Sequence, residues 1–289
     1  MSGQVILVTG AGGFVGRHLM ARLRENPDVH VFGTALEGDS AWAACDLSEG
    51  LDVTQLLAEV GPTRIYHCAG TFTNQWQTDY AANVLAARNL CEALVELKLR
   101  CRLLLIGSAA EYGWPPPGPV PESAPLAPVS VYGLTKSFQT RLMDYYRRRH
   151  GLEIVMARAF NLFGDGCSPL LFPGRVAEQI QQIKSGQATR IKVGPLDSRR
   201  DYLPVEQAVE AYLTIMERGA AGEVYNVGSG EPVKLADFLA RLLAAHGLTM
   251  AAVDVAPAVD GEPRNEVTEI YADISKLKVL AGTVTERGL

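Results

Sequence analysis

The sequence predicts an α/β protein, a Rossmann-type doubly wound parallel sheet with a smaller α+β C-terminal lobe. Short apolar runs of four or five residues alternate with stretches whose apolar positions recur at helical spacing. That alternation is what strands buried on both faces and their crossover helices require. A glycine cluster also stands where the first apolar run gives way to the first helical stretch. At 289 residues, 47% hydrophobic and 20% charged, the chain has the size and composition for one large globular domain and a small companion.

The elements follow in order. Val5-Ile6-Leu7-Val8 is the first strand, and Phe14, Val15, Leu19, Met20 and Leu23 mark the first helix. Pro27-Asp28 stops that helix, and Val29-His30-Val31-Phe32 begins the second strand. A third strand is expected near Ala43-Ala44-Cys45, then a helix through Leu56, Leu57 and Val60. Ile65-Tyr66-His67-Cys68-Ala69 and Leu103-Leu104-Leu105-Ile106 give the fourth and fifth strands, flanking a long helix over 80–98. Prolines at 115, 116, 117, 119, 121, 125 and 128 exclude regular structure and predict an extended loop, of a length that often serves function. Ile154-Val155-Met156-Ala157 is the sixth strand. Right-handed crossovers then give the parallel sheet. The sheet domain is assigned to 1–163, with a return segment near 203–229 that includes Val224-Tyr225-Asn226-Val227, and the interleaved smaller lobe to 164–289.

A net charge of −5 gives no case for nucleic acid as a partner. No apolar run reaches membrane-spanning length and the N-terminus lacks a signal-peptide pattern, so no membrane partner and a cytoplasmic location are expected. The five scattered cysteines and the five histidines show no ligand spacing, so neither a disulfide framework nor a catalytic metal is expected.

Gly10-Ala11-Gly12-Gly13-Phe14-Val15-Gly16 lies between a strand and a helix. The GxxGxxG register at Gly10, Gly13 and Gly16 fits a dinucleotide pyrophosphate seated on the helix N-terminus, near the N–H groups of Phe14 and Val15. Ala69 and Gly70, ending the fourth strand, are expected at the same cofactor. The second strand ends in Gly33-Thr34-Ala35-Leu36, with neither acid nor arginine, which leaves NAD and NADP both open. Asp46 and Leu47 are candidates for holding the adenine, with a helix cap or turn as the other reading of Asp46.

Tyr132 and Lys136 stand four apart on a helix and share a face. An adjacent ammonium, helped by an oxidised nicotinamide, is expected to bring the phenol below its usual pKa of about 10. Lys136 can also hold the nicotinamide ribose. Ser108 follows the fifth strand, at the edge where parallel sheets bind ligands, and its hydroxyl can bond a substrate oxygen beside Tyr132.

These segments in order resemble the extended branch of the short-chain dehydrogenase/reductases, the NAD-dependent epimerase/dehydratase family of nucleotide-sugar enzymes. The resemblance also rests on Arg158-Ala159-Phe160-Asn161, Arg200-Asp201-Tyr202 and Val224-Tyr225-Asn226-Val227-Gly228. It implies Ser108, Tyr132 and Lys136 as catalytic residues and a nucleotide-sugar substrate contacted by Ser108, Ala109, Tyr132, Asn161 and Arg200. It implies Asn83 as a support of the cofactor site, and a homodimer through paired helices over 80–98 and 133–149. Family dehydratases carry acids directly after the active-site hydroxyl; here Ala109 and Ala110 stand there. Glu111 comes one step later, where alternation along an extended backbone would aim it elsewhere. That leaves reduction of a 4-keto sugar or 4-epimerisation. Ile106 to Gly113, Arg158 to Asn161 leading to Gly164 to Pro169, and Val193 to Tyr202 are similar to GDP-4-keto-6-deoxy-D-mannose reductases. The alternatives are an NAD-dependent UDP-sugar 4-epimerase and a non-catalytic dinucleotide sensor or scaffold; the intact Ser108/Tyr132/Lys136 set argues against the latter. The shuffled order of Pro263-Arg264-Asn265-Glu266 speaks against a phosphate role for Arg264.

Overall fold

The computed structural model describes residues 4–38, 41–257 and 268–282; Arg264 lies outside the described residues. β1 (Gln4–Thr9) leads through α1 (Phe14–Leu23) to β2 (Val29–Ala35), the short β3 (Ala43–Ala44), α2 (Gly50–Val60) and β4 (Arg64–His67). α3 (Trp76–Asp79), a π-helical turn (Tyr80–Leu85) and α4 (Ala86–Glu96) connect to β5 (Arg102–Ser108), which runs into a 3₁₀ turn (Ala109–Tyr112). β6 (Pro119–Val120), α5 (Val131–His150), β7 (Glu153–Ala159) and β8 (Asn161–Phe163) follow. The rest comprises α6 (Phe172–Lys184), β9 (Ile191–Val193), β10 (Arg199–Arg200), β11 (Tyr202–Pro204), α7 (Val205–Arg218) and β12 (Val224–Val227). It closes with β13 (Val233–Lys234), α8 (Leu235–Ala244), β14 (Val253–Val255), β15 (Glu269–Ala272) and α9 (Ser275–Gly282).

The main sheet runs β3-β2-β1-β4-β5-β7-β12, and every neighbouring pair is parallel. Its strand order reverses between β1 and β4, which opens a crevice beyond the carboxyl ends of those strands. Leu57, Leu90, Leu94 and Met143 from α2, α4 and α5 fill one face, and Leu19, Met20, Val209 and Ile215 from α1 and α7 fill the other. A separate small core of Val176, Ile180, Leu239 and Leu243 joins α6 and α8 to β9 and β14. A four-stranded sheet, β13-β10-β15-β6, carries Arg200.

Three local features differ from the sequence reading. The proline-rich loop does contain regular structure, because Pro119–Val120 pairs with Tyr271 and Ala272 of β15; a proline at the first residue of an edge strand removes no needed donor. The helix expected over 80–98 starts at Trp76 and is broken by the π turn. After Ser108 the backbone closes into a 3₁₀ turn instead of staying extended, and this turns Glu111 inward to full burial.

The junction of β1 and α1 has no room for side chains. Gly10 has φ of 67°, and a Cβ on it would lie 2.7 Å from Ala69 Cα. A Cβ on Gly16 would lie 2.1 Å from the Gly10 carbonyl oxygen, so α1 packs directly on the turn. Gly16→Ala is therefore expected to destabilise the chain by about 1–3 kcal/mol through overpacking against backbone, read as a melting temperature several degrees lower in thermal denaturation.

Candidate active site

A crevice of ≈ 560 Å³ opens at the carboxyl ends of β1, β4, β5 and β7. At one end lies the glycine turn between β1 and α1. Gly13 caps α1 without a side-chain hydrogen bond, and Gly13, Phe14, Val15 and Gly16 border the crevice. The first N–H groups of a helix lack intrahelical partners and attract anions. With glycines standing where a Cβ would block the approach, these residues fit a dinucleotide diphosphate. Gly70 borders the crevice beside Lys136, and its absent Cβ would lie 3.2 Å from Nζ. Ala69 packs beneath Gly10.

Lys136 is 5% exposed, and its Nζ donates to the Ile106 carbonyl oxygen at 2.9 Å and to Gln139 Oε1 at 3.2 Å. Burial pushes this ammonium down to about 8, against the pull of Glu111, Cys68 and Asp79. Gln139 Nε2 donates in turn to the Asn83 carbonyl oxygen at 2.7 Å. The Asn83 amide bonds the Thr71 carbonyl oxygen at 2.9 Å and Thr135 Oγ1 at 3.0 Å, and its Oδ1 accepts from Thr71 N at 3.0 Å. Asn83 thus braces the floor of the crevice from behind without bordering it.

Tyr132 borders the crevice with Ser108, whose hydroxyl hydrogen-bonds the phenol. Burial pushes the phenol up to about 12, and the Ser108 bond offsets only part of that rise. The lowering expected from the Lys136 ammonium is not found: its Nζ is directed to Ile106 and Gln139, and desolvation of the hydroxyl outweighs the Ser108 bond. Around Tyr132, Asn74 Oδ1 accepts from its backbone N at 3.2 Å, and Phe72 packs edge-on at 6.1 Å between centroids. The 71–74 loop is tied down by the buried Asp79. Burial raises its carboxyl, but hydrogen bonds from Thr73, Thr71 and Asn74 outweigh that and hold it below 3.8.

Ser108 Oγ accepts from Ala110 N at 3.2 Å, and Glu111 Oε1 accepts from Ser108 N at 2.8 Å, closing a capping box. Ala109 and Ala110 border the crevice, whereas Glu111 does not. Across the crevice stand Asn161 and Arg200. Asn161 Nδ2 donates to the Asp201 carbonyl oxygen at 3.0 Å, and Arg200 Nη1 to the Arg199 carbonyl oxygen at 2.9 Å.

Asp46 and Leu47 are not brought to this crevice. Asp46 Oδ1 takes Ser48 N at 2.9 Å and Ser48 Oγ at 2.7 Å in a turn before α2, and the Leu47 side chain is buried in the core. Sequence reasoning missed Gln139, Phe72, Asn74 and Asp79. Only Gln139 left a local signal, one helical step beyond Lys136 on the same face. Among the described residues no group of three or more His, Cys, Asp or Glu is placed to hold a metal ion, and no helix is long and apolar enough to cross a membrane.

Residues 6–228 match the NAD dependent epimerase/dehydratase family, and the chain belongs to it. The chain is 32% identical over 247 residues to a GDP-6-deoxy-D-mannose reductase of Pseudomonas aeruginosa, covering 83% of this chain and 79% of that one. It is 30% identical over 230 residues to a GDP-6-deoxy-D-talose 4-dehydrogenase of Aggregatibacter actinomycetemcomitans, covering 78% and 74%. The fold superimposes on the structure of RMD from Pseudomonas aeruginosa complexed with NADPH with a TM-score of 0.83, at 26% identity over 96% of this chain and 92% of that one.

The depressed Lys136 gives a signed expectation. Between about 8 and the ordinary 10.5 the unfolded chain binds the proton that the folded chain has released, so this group makes stability rise with pH across that window. In paired thermal melts, any stability advantage of Lys136→Met over the native chain should be greatest below pH 8. It should shrink steadily as the pH approaches 10.5.

Proposed function

We propose that the chain reduces the C4 keto group of a nucleotide-linked 4-keto-6-deoxyhexose with NADH or NADPH, GDP-4-keto-6-deoxy-D-mannose being the first candidate. The observation that carries this reading is the acid–base content of the crevice. Among the described residues that border it there is no carboxylate and no histidine, while Tyr132, Ser108 and Lys136 stand together. Elimination of water needs a further acid and base beside the sugar. Ala109 and Ala110 supply neither, and Glu111 is engaged below with Ser108 N and with Arg158 at 2.9 Å. Reduction of a ketone needs one proton donor only.

When bound, the nicotinamide supplies the hydride that C4 receives. The Ser108 hydroxyl, which accepts from Ala110 N, turns its hydrogen from the phenol to the C4 oxygen when the sugar is bound and stabilises the charge that develops there. Tyr132 gives that oxygen its proton. A phenol pushed up to about 12 is protonated at neutral pH, the state a donor requires. The Lys136 ammonium has three hydrogens, two of them given to Ile106 and Gln139, and the third is left for the cofactor ribose. Asn161 positions the sugar, and the Arg200 guanidinium takes the diphosphate, a pairing its planar fork suits. The likeness to the Pseudomonas aeruginosa reductase supports both the reaction and the GDP-sugar. In this reading a second copy pairs through α4 and α5.

The test is to mix the protein with GDP-4-keto-6-deoxy-D-mannose and NADPH or NADH and follow loss of reduced cofactor. Turnover is expected, with Tyr132→Phe lowering kcat by about 10²–10⁴-fold while cofactor binding by fluorescence titration persists. No oxidation with this sugar or its UDP- and dTDP-linked analogues would end the reductase reading. Cofactor carried tightly through gel filtration, with none consumed, would mark a 4-epimerase instead.

A further inference from the structure

We infer that Glu111, braced by Thr140 and Arg158, is a positioning residue that fixes the Ser108 hydroxyl against Tyr132. The inference rests on the reductase reading and adds to it the device that sets the distance between the two hydroxyls.

The geometry is a three-way junction. Glu111 Oε1 accepts from Ser108 N at 2.8 Å. Its other oxygen accepts from Thr140 Oγ1 at 2.7 Å and from Arg158 Nη2 at 2.9 Å. Tyr132, Lys136 and Thr140 follow one another at intervals of four on α5, so Thr140 lies on the face that carries the phenol and the ammonium. One carboxylate therefore ties the end of β5 to the proton-donating face of α5. Arg158 anchors the junction further: Nη1 donates to Tyr112 OH at 2.9 Å, and that hydroxyl donates to Asn226 Oδ1 of β12 at 2.7 Å.

Two glycines let the junction close. A Cβ on Gly107 would lie 2.6 Å from Glu111 Oε1, and a Cβ on Gly133, the neighbour of Tyr132, would lie 2.4 Å from the Ala110 carbonyl oxygen. The helix thus rests directly on the turn that carries Ser108. Glu111 and Arg158 are 0% and 1% exposed. Burying such a pair stabilises a fold no better than apolar residues of equal volume. Its directional bonds supply placement that an apolar pair lacks, and Ser108 is the group they place.

Thr140→Val removes the brace and leaves Glu111 paired with Arg158. We expect kcat for the keto sugar to fall about 10- to 100-fold, the cost of a misplaced reacting group, with the KM of the sugar and the Kd of NADPH little changed. Hydrogen exchange at the Ser108 amide should quicken, and Thr140→Ser should restore both readouts. The double variant Glu111→Met/Arg158→Met avoids a lone buried charge and should stay folded with the same loss of kcat. Native kcat and native Ser108 exchange in Thr140→Val would overturn the inference, as would an equal loss in Thr140→Ser. If the native chain reduces no keto sugar, the reductase reading fails. Exchange at Ser108 then decides the brace alone, and an unchanged rate sinks it.

Discussion

A lysine ammonium placed where water barely reaches must find hydrogen-bond partners within the protein, and much of the architecture around the crevice meets that demand. Burying an unpaired charge costs several kcal/mol. Lys136 avoids that through the Ile106 carbonyl oxygen and Gln139 Oε1. Gln139 can present its oxygen only if its amide is occupied elsewhere, and the Asn83 carbonyl oxygen occupies it. Asn83 sits in the π turn, a local widening of the kind that gathers at functional sites. Its side chain passes the connection on to Thr71 and Thr135. His67, close by, is pushed down to about 3 by burial and then by Lys136, so it stays neutral and adds no second positive charge. Gly70 leaves the ammonium its space.

The strands of the main sheet, β12 among them, and the glycine turn after β1 were legible in the sequence, because each depends on a local pattern: an apolar run, a glycine spacing, a helical period. What was misread depends on distance through space. The 3₁₀ turn after Ser108 did leave a trace, the Ser108-x-x-Glu111 spacing of a capping box, and reading it would have turned Glu111 inward. The pKa of Tyr132 left none. Its spacing to Lys136 is local, but the direction of the ammonium is set by Ile106 and Gln139, from a strand and a later turn of α5, and the rise of the phenol by its burial. The left-handed Asn74, with φ of 58°, which offers its side chain to the start of α5, follows from Asp79 gathering the 71–74 loop. The π turn has no counterpart in the residue pattern. Asp46 was ambiguous because a carboxylate before a helix suits a turn as well as a ligand, and its Oδ1 does hold the turn through Ser48.

Both walls of the crevice are positioned by carboxylates that do not face it. On the Ser108 side that group is Glu111. On the other it is Asp201, fully buried, which takes Ser229 N and Ser229 Oγ at 2.6 Å on one oxygen and Gly230 N and Ala272 N at 3.0 Å on the other. The Asp201 backbone carbonyl oxygen accepts from Asn161 N at 3.2 Å and from Asn161 Nδ2 at 3.0 Å. Asp201 thereby joins β8, the turn after β12 and β15 at the residue next to Arg200. A carboxylate suits this task because it accepts several N–H bonds at once and needs no partner that can donate only in one direction.

That arrangement has a chemical consequence. Under the proposed function a carboxylate facing the crevice would offer a second base, and with it elimination or proton abstraction beside the ketone. With Glu111 and Asp201 both facing inward, the described lining keeps acceptors for structure apart from donors for chemistry. Under the proposed function the proton donor is the Tyr132 phenol, which is protonated at neutral pH. Desolvation makes this phenol a weaker acid, so in the proposed reduction the Ser108 bond, which lowers its pKa, works toward release of the proton.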